Sequence, residues 1–231
     1  MTMDRESGGR TALVLGATGL VGGQVLRALL DDPHYGLVRI LVRRDTGIHH
    51  PKLEQIITDF AEIDRVGTLV AAQDVFCCLG TTQRKAGSFP RFYAIDHDLV
   101  CTLARTAQKN GCTHFLLMSS IGADPAARSD YLRTKGEVEA TLGEMGFARF
   151  SIVRPSLLQG IREETRVKEI VSAAFLNALA PLLQGRLQKY RPIAGAAVAR
   201  ALVAIAHNKG AGERLYESDE LVLLAGRPNA R

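Results

Sequence analysis

The sequence has no tryptophan and few aromatic residues, which make up 6% of its 231 positions. It also has no basic run of five or more residues, and no aromatic residues interleaved with such a run. Nucleic-acid binding is therefore not expected. The longest uncharged runs, residues 11–26 and 170–185, are 16 residues each. Because a bilayer-spanning helix needs about 20 apolar residues, no membrane span is expected either.

Cysteines are also few. Two of the four, Cys77 and Cys78, are neighbours in an apolar run, and the others are Cys101 and Cys112. This spacing suits neither a disulfide scaffold nor a zinc site, so we predict buried, reduced thiols. The N-terminal ten residues carry charges of both signs and lead into no signal-like apolar segment. These observations together predict a cytoplasmic protein.

The charges present favour small anionic ligands. There are 29 basic and 24 acidic residues, which leaves a net charge of +5 spread along the chain. Such a mild positive field suits nucleotides among other anions. The six histidines lack metal-ligand spacing, so no metal site is predicted. We interpret the His49-His50 pair and the Asp96-His97-Asp98 group as solvated.

Short apolar runs and helical periodicities alternate through the first 154 residues. The runs that predict strands are residues 12–16, 37–42, 55–58, 74–80, 114–119 and 150–153. The spacing predicts helices over residues 20–30 and 130–145, and a long helix containing Phe92 and Leu103. Crossovers of this length imply an α/β fold with a doubly wound parallel sheet in three layers.

The remaining residues have no composition break that would mark a second domain. They predict helices over residues 166–183 and 194–207 and a small strand over 221–224. We therefore expect one domain over residues 1–231, with a core of about 11–160 and a short C-terminal cap, 161–231, on the substrate side. The apolar stretch 170–183 fits a substrate lid, a dimer contact or plain core, so the protein is expected to be a monomer or a homodimer.

The most specific local signal is a glycine motif where the first strand meets the first helix. It spans residues 16–22, with glycines at 16, 19 and 22. Glycines at this spacing allow a tight turn and let the backbone approach a pyrophosphate at the helix N-terminus. We therefore favour dinucleotide binding over a merely structural turn. The predicted contacts are Gly16, Thr18, Gly19, Leu20, Val21 and Gly22.

Cofactor choice is expected at the end of the second strand, where NAD-binding proteins carry an acidic residue for the ribose hydroxyls. Arg43 and Arg44 occupy that place. Guanidinium groups suit a 2′-phosphate, which favours NADP, with NAD still possible. The alternative is that both are solvated charges beside Asp45.

The ends of the third and fourth strands are expected to contact the rest of the cofactor, because ligands bind at the carboxyl ends of parallel strands. We predict that Asp59 and Phe60 flank the adenine. We also predict that Cys78, Leu79 and Gly80 pass beneath the ribose and nicotinamide.

Tyr131 and Lys135 lie one helical turn apart, with Lys135 on the apolar stripe of its helix. A neighbouring ammonium favours the phenolate form of a tyrosine, which suits general acid/base chemistry on a carbonyl or alcohol. The alternative is a helix end with a surface tyrosine and lysine. The position of the pair favours chemistry, because it follows a strand that ends at Ser119 and Ser120, whose hydroxyls suit the same carbonyl.

These motifs resemble the short-chain dehydrogenase/reductases: the glycine motif, a serine after the fifth strand and a Tyr-x-x-x-Lys pair. The segments that look like the atypical branch of the Tat-interacting-protein-like oxidoreductases and their small bacterial relatives are residues 77–82, 85–87, 119–124 and 131–140. The likeness covers about residues 11–160 well and the tail loosely. The tail of about 75 residues is short for a family member with a full substrate domain, which argues against a large nucleotide-sugar substrate.

The resemblance implies a Rossmann fold that binds NADP(H). It further implies that Tyr131 exchanges the proton, that Lys135 holds the nicotinamide ribose, and that Ser120 or Ser119 positions the substrate oxygen. Pro155 looks like part of the family's segment against the nicotinamide, with Gly160 beyond it.

We therefore expect an NADP-dependent oxidoreductase that transfers a hydride to or from a small carbonyl or alcohol. A second hypothesis is an NADP(H)-sensing regulatory or partner-binding protein with little or no turnover. A third is an epimerase or dehydratase that keeps its cofactor bound and does not consume it.

Overall fold

The central feature of the computed structural model, which describes residues 9–60, 67–159 and 185–226, is a seven-stranded parallel sheet. Its strands are β1 (Arg10–Leu15), β2 (Tyr35–Val42), β3 (Leu53–Ile57), β4 (Asp74–Cys77), β5 (His114–Met118), β6 (Arg149–Arg154) and β9 (Gly212–Glu217). They lie in the order β3-β2-β1-β4-β5-β6-β9. Two short strands, β7 (Leu158–Gln159) and β8 (Ile193–Ala194), pair with each other outside this sheet.

Helices cover both faces of the sheet. They are α1 (Leu20–Asp31), α2 (Gln83–Ala86), α3 (Phe89–Tyr93), α4 (Val100–Lys109), α5 (Asp130–Gly143), α6 (Gly195–His207) and α7 (Ser218–Ala225). One core cluster packs α1 and α6 against one face, and a second packs α4 and α5 against the other. The predicted three-layer Rossmann fold is confirmed, and the sheet order reverses between β1 and β4, where this fold binds its ligands.

The long helix expected around Phe92 and Leu103 is interrupted. Between α3 and α4 the chain forms a π-helical turn over Ala94–Leu99. Such turns in otherwise α-helical segments frequently occur at functional sites. Asp96 lies in this turn and is fully buried, so the interpretation of Asp96 as solvated is wrong.

The C-terminal part of the chain differs from the sequence prediction. The strand predicted over residues 221–224 is instead part of helix α7, and the strand of this region is β9, which pairs with β6 at the sheet edge. The predicted helix over 194–207 is confirmed as α6. The predicted helix over 166–183 lies outside the described residues. Within the described ranges, no helix combines the length and apolarity that crossing a bilayer requires.

Candidate active site

The candidate site lies at the carboxyl edge of the sheet. The glycine motif follows β1, residues 78–80 follow β4, the two serines follow β5 and Pro155 follows β6. Because β1, β4, β5 and β6 are adjacent and parallel, these four segments meet at one edge. The structure thus brings together most of the residues predicted from the sequence.

The glycine motif packs directly against the end of β4. Gly16 has a positive φ of 80°, and a Cβ at this position would lie 2.6 Å from the carbonyl oxygen of Cys78. A Cβ at Gly22 would lie 2.1 Å from the carbonyl oxygen of Gly16. Both positions therefore require glycine, and the turn presents bare backbone to a ligand.

Helix α1 begins directly after this turn. Its N-cap, Gly19, offers no side chain to bind the first amides, and the first turn contains no acidic residue. The first three amides belong to Leu20, Val21 and Gly22, and Thr18 is exposed beside them. Uncapped amides and the positive end of the helix dipole fit an anion, as a dinucleotide pyrophosphate would require.

Arg43 and Arg44 are exposed at the end of β2, at the start of a loop that leads to β3 without a helix. The Asp45 carboxylate beside them accepts hydrogen bonds from the Gly47 amide at 2.9 Å and from Gln55 at 3.0 Å. These hydrogen bonds, that of Gly47 first, lower the pKa of Asp45. Neither arginine forms an ion pair with another described residue. Their contact with a 2′-phosphate stays a prediction.

Asp59 and Phe60 follow β3, as predicted. Asp59 is exposed, and Phe60 is half-buried against the second core cluster. Their contact with the adenine stays a prediction.

The centre of the site is a buried ion pair between helix α5 and the π-helical turn. The Lys135 Nζ lies 2.8 Å from the Asp96 Oδ1, and both side chains are almost inaccessible to solvent. The other carboxylate oxygen, Oδ2, accepts a hydrogen bond from the Thr81 amide at 2.8 Å. Burial alone disfavours the ammonium, but the charges of Asp96 and Tyr131 oppose that effect, and the pKa of Lys135 is raised overall. Lys135 is thus held as a cation.

This pair lies directly beside the segment that follows β4. A Cβ at Gly80 would lie 3.3 Å from the Asp96 Oδ1 and 3.5 Å from the Lys135 Nζ. Three residues here are predicted to pass beneath the ribose and nicotinamide. Of these, Gly80 is exposed, Cys78 is buried and Leu79 packs against the second core cluster. Burial raises the pKa of the neighbouring Cys77 thiol to about 12, so it stays protonated at neutral pH. All four cysteines are buried and free, as predicted.

Tyr131 is more exposed to solvent than Lys135. Its side chain is 36% exposed, and its ring centroid lies 5.9 Å from the Lys135 Nζ. The buried ring of Phe92 packs against it at 5.9 Å between centroids. The alternative of a surface lysine at a helix end is therefore wrong for Lys135, since it is 4% exposed.

The two serines after β5 have different environments. Ser119 is 5% exposed, and its hydroxyl has no hydrogen-bond partner among the described residues. Ser120 is half-buried, and its hydroxyl makes a long contact of 3.5 Å to the Ile121 carbonyl oxygen. Ser120 is thus the more accessible hydroxyl, and its role stays a prediction.

Pro155 is buried beside the serines. Its carbonyl oxygen accepts a hydrogen bond from the Ile121 amide at 3.0 Å, which joins the ends of β5 and β6. Gly160 lies outside the described residues.

Sequence reasoning missed the partner of Lys135. Asp96 lies on one buried helical stripe with Phe92, Val100 and Leu103. The four positions 92, 96, 100 and 103 are separated by four, four and three residues. A carboxylate on an apolar stripe needs a buried partner, and this signal was available from the sequence. In the described part of the chain, no cluster of three His, Cys, Asp or Glu residues suits a metal ion.

Comparisons with known proteins find a family model and named relatives that match this chain. A family model described as NAD(P)H-binding matches residues 16–209. Protein HTATIP2 from Rattus norvegicus is 37% identical over 174 residues, covering 74% of this chain and 72% of the rat protein. The mitochondrial protein fmp52 from Emericella nidulans is 35% identical over 221 residues, covering 89% of this chain and 95% of the fungal one.

Solved structures show the same fold at low sequence identity. UDP-N-acetylglucosamine 4-epimerase from Methanobrevibacter ruminantium has a TM-score of 0.68 at 17% identity, covering 90% of this chain and 76% of that chain. The enzyme WbmH from Bordetella bronchiseptica, in complex with NAD+, has a TM-score of 0.67 at 17% identity, covering 90% of this chain and 75% of that chain.

The relatives overturn one expectation. Several fungal relatives, including one from Eremothecium gossypii at 33% identity over 99% of its length, are named as mitochondrial. The expectation of a cytoplasmic protein is therefore wrong, and the relatives point to mitochondria instead. The predicted resemblance to the atypical short-chain dehydrogenase/reductases is confirmed. The matches to the family model and to these relatives show that the chain belongs to the NAD(P)H-binding family that includes HTATIP2 and FMP52.

Proposed function

We propose that this protein is an NADP-dependent oxidoreductase that transfers a hydride between the nicotinamide and a small carbonyl or alcohol. The observation that carries the proposal is the buried Lys135–Asp96 ion pair beside the accessible Tyr131 ring. Burying a charged pair costs desolvation free energy. If the contact were purely structural, apolar side chains would therefore stabilise it as well or better.

The chain's own residues divide into those that would hold the cofactor and those that would act on the substrate. The glycine motif and the first amides of α1 would bind the pyrophosphate, and Arg43 and Arg44 the 2′-phosphate. Asp59 and Phe60 would flank the adenine, and Pro155 would lie against the nicotinamide. When bound, the nicotinamide supplies or accepts the hydride.

In the direction of reduction, the carbonyl carbon gains the hydride and the carbonyl oxygen takes the proton of the Tyr131 phenol. The carbonyl would thus become an alcohol, with a bound NADPH as the source of the hydride and Tyr131 as the source of the proton. The Lys135 ammonium, fixed by Asp96, stabilises the phenolate that remains until a solvent proton replaces the lost one. The Ser120 hydroxyl would donate a hydrogen bond to the carbonyl oxygen.

The experiment that tests this proposal compares the wild type with Tyr131→Phe on a panel of small aldehydes and ketones. We expect the wild type to consume NADPH and form the alcohol in equal amounts. Tyr131→Phe should lower kcat by at least about a hundredfold, because a positioned acid contributes about that much. NADPH affinity should change little, since the phenol binds no phosphate.

Tyr216→Phe provides the control. Tyr216 lies on the edge strand β9, and the Arg214 guanidinium is 4.8 Å from its ring centroid. Like Tyr131 it has a cationic neighbour, but it is not one of the residues predicted to form the site. Turnover that survives in Tyr131→Phe would rule out the proposed acid. A wild type inactive on the whole panel would favour the regulatory hypothesis, and cofactor that copurifies and is not consumed would favour an epimerase.

A further inference from the structure

A segment with three basic residues borders the candidate site between Thr81 and Phe92. It begins at Thr81, whose amide donates a hydrogen bond to the Asp96 carboxylate, and it ends at Phe92, whose ring packs on Tyr131. Residues 82–91 contain Arg84, Lys85 and Arg91 and no acidic residue. Both ends of this segment, which we name the basic rim, are therefore anchored at the groups that would react.

The basic rim has a defined shape. The Thr82 hydroxyl accepts a hydrogen bond from the Lys85 amide and caps α2, and the Ser88 hydroxyl accepts one from the Arg91 amide and caps α3. Between them Gly87 adopts a positive φ of 82°, which ends α2 and reverses the chain. The side chains of Arg84, Lys85 and Arg91 are all exposed.

In the described part of the chain, the acidic side chains beside the basic rim pair with groups other than Arg84 and Arg91. Asp96 pairs with Lys135, Asp130 with Arg133, and Glu139 with Arg154. Arg84 and Arg91 form no ion pair with any described residue. Among the residues that the structure describes, these two guanidinium groups thus have no counter-charge at the border of the site, and they favour an anionic ligand.

Aromatic side chains line the same segment. The Phe89 ring lies 6.3 Å from that of Phe92 and 5.9 Å from that of Tyr93, between centroids. Phe92 is fully buried beneath the other two rings, whereas Phe89 and Tyr93 are half-buried. The accessible parts of Phe89 and Tyr93 suit the apolar body of a small ligand, next to the groups that suit its charge.

We propose that the substrate of this site carries an anionic group, a carboxylate or phosphate, that Arg84 and Arg91 bind while the carbonyl faces Tyr131. This inference rests on the proposed function and extends it to a substrate class. Guanidinium groups bind such oxyanions through charge-assisted, often bidentate hydrogen bonds.

The test measures kcat/KM with NADPH for three matched aldehydes: 4-carboxybenzaldehyde, 4-formylphenyl phosphate and the neutral 4-methylbenzaldehyde. We expect at least one anionic aldehyde to be preferred by about tenfold or more, as hydrogen bonds to charged groups would give. The preference should fall as salt is raised, because the rim is exposed. Comparison of the two anionic arms identifies whether carboxylate or phosphate is the better ligand.

The double variant Arg84→Gln/Arg91→Gln should lose the preference, mainly through a higher KM for the anionic aldehyde. Arg105→Gln is the matched control, because Arg105 is an exposed arginine on α4. It lies about 20 Å along the helical segment from Phe92. The control should keep the wild-type preference. Equal kcat/KM for neutral and anionic aldehydes, or a preference that survives in the double variant, would overturn the inference.

Binding separates this inference from hydride transfer. If no aldehyde is reduced, the proposed function fails, and benzoate and inorganic phosphate are titrated into the NADPH-loaded protein. Binding of either anion that is lost in Arg84→Gln/Arg91→Gln would uphold the basic rim as an anion site. Absence of binding, or binding equal in the variant, would overturn it.

Discussion

Replacing Asp96 by alanine is expected to lower the free energy of unfolding by about 3–5 kcal/mol, because it leaves the Lys135 ammonium buried without a counter-charge. The pair is nearly inaccessible to water, so solvent cannot replace the lost carboxylate. The Thr81 amide also loses its acceptor. Urea unfolding of the cofactor-free protein measures the loss.

Two further variants assign the loss to the buried charge. The more accessible pair of Arg39 and Glu54 has a similar distance of 2.7 Å, but its side chains are 20% and 42% exposed. Glu54→Ala should therefore cost no more than about 1 kcal/mol. In the double variant Asp96→Leu/Lys135→Met, apolar side chains replace both charges and should recover most of the stability. Equal losses for Asp96→Ala and Glu54→Ala would contradict a buried charge pair.

Gly136→Ala is expected to destabilise the protein by about 3 kcal/mol and to lower turnover at least about tenfold. A Cβ at Gly136 would lie 2.3 Å from the Asp124 carbonyl carbon and from the Pro125 nitrogen. Both are backbone atoms, so either the loop or helix α5 must move. Helix α5 carries Tyr131 and Lys135, and its displacement would misalign both.

Gly143→Ala on the same helix is the control for this prediction. Its Cβ would meet only the carboxylate end of Glu213 at 2.9 Å, and that flexible side chain can move away. Since alanine favours helix over glycine, this variant should lose nothing or gain up to about 1 kcal/mol. If thermal unfolding gave the two variants the same stability, close packing at Gly136 would not position the helix.

The fold was predictable because its signals are local. Buried parallel strands give continuous apolar runs, and the glycine motif marks the turn into α1. The prediction of a strand over 221–224 was wrong because a continuous apolar run was taken as a sign of burial. Leu221 is buried, but Val222 and Leu223 are exposed on a helix. Strand β9 escaped notice because four of its six residues are exposed at the sheet edge and its composition is largely polar.

The site was only partly predictable, because its central contact joins distant segments. Lys135 and Asp96 are 39 positions apart, and a π-helical turn that no sequence pattern announced brings the carboxylate inward. The compartment was wrongly predicted for a different reason. Buried, unpaired cysteines suit any reducing environment, so they do not distinguish the cytoplasm from mitochondria.

The most direct test of the cofactor site is a fluorescence titration of the protein with NADPH and, in parallel, with NADH, which is clean because the chain has no tryptophan. We expect NADPH to bind at least about tenfold more tightly, because Arg43 and Arg44 can form charge-assisted hydrogen bonds to the 2′-phosphate. Arg43→Ala/Arg44→Ala should remove that difference, whereas Arg105→Ala should keep it. Equal or tighter binding of NADH, or an unchanged preference in the double variant, would contradict NADP recognition by these arginines. Failure of both nucleotides to bind, in protein that carries neither from purification, would contradict the oxidoreductase assignment itself.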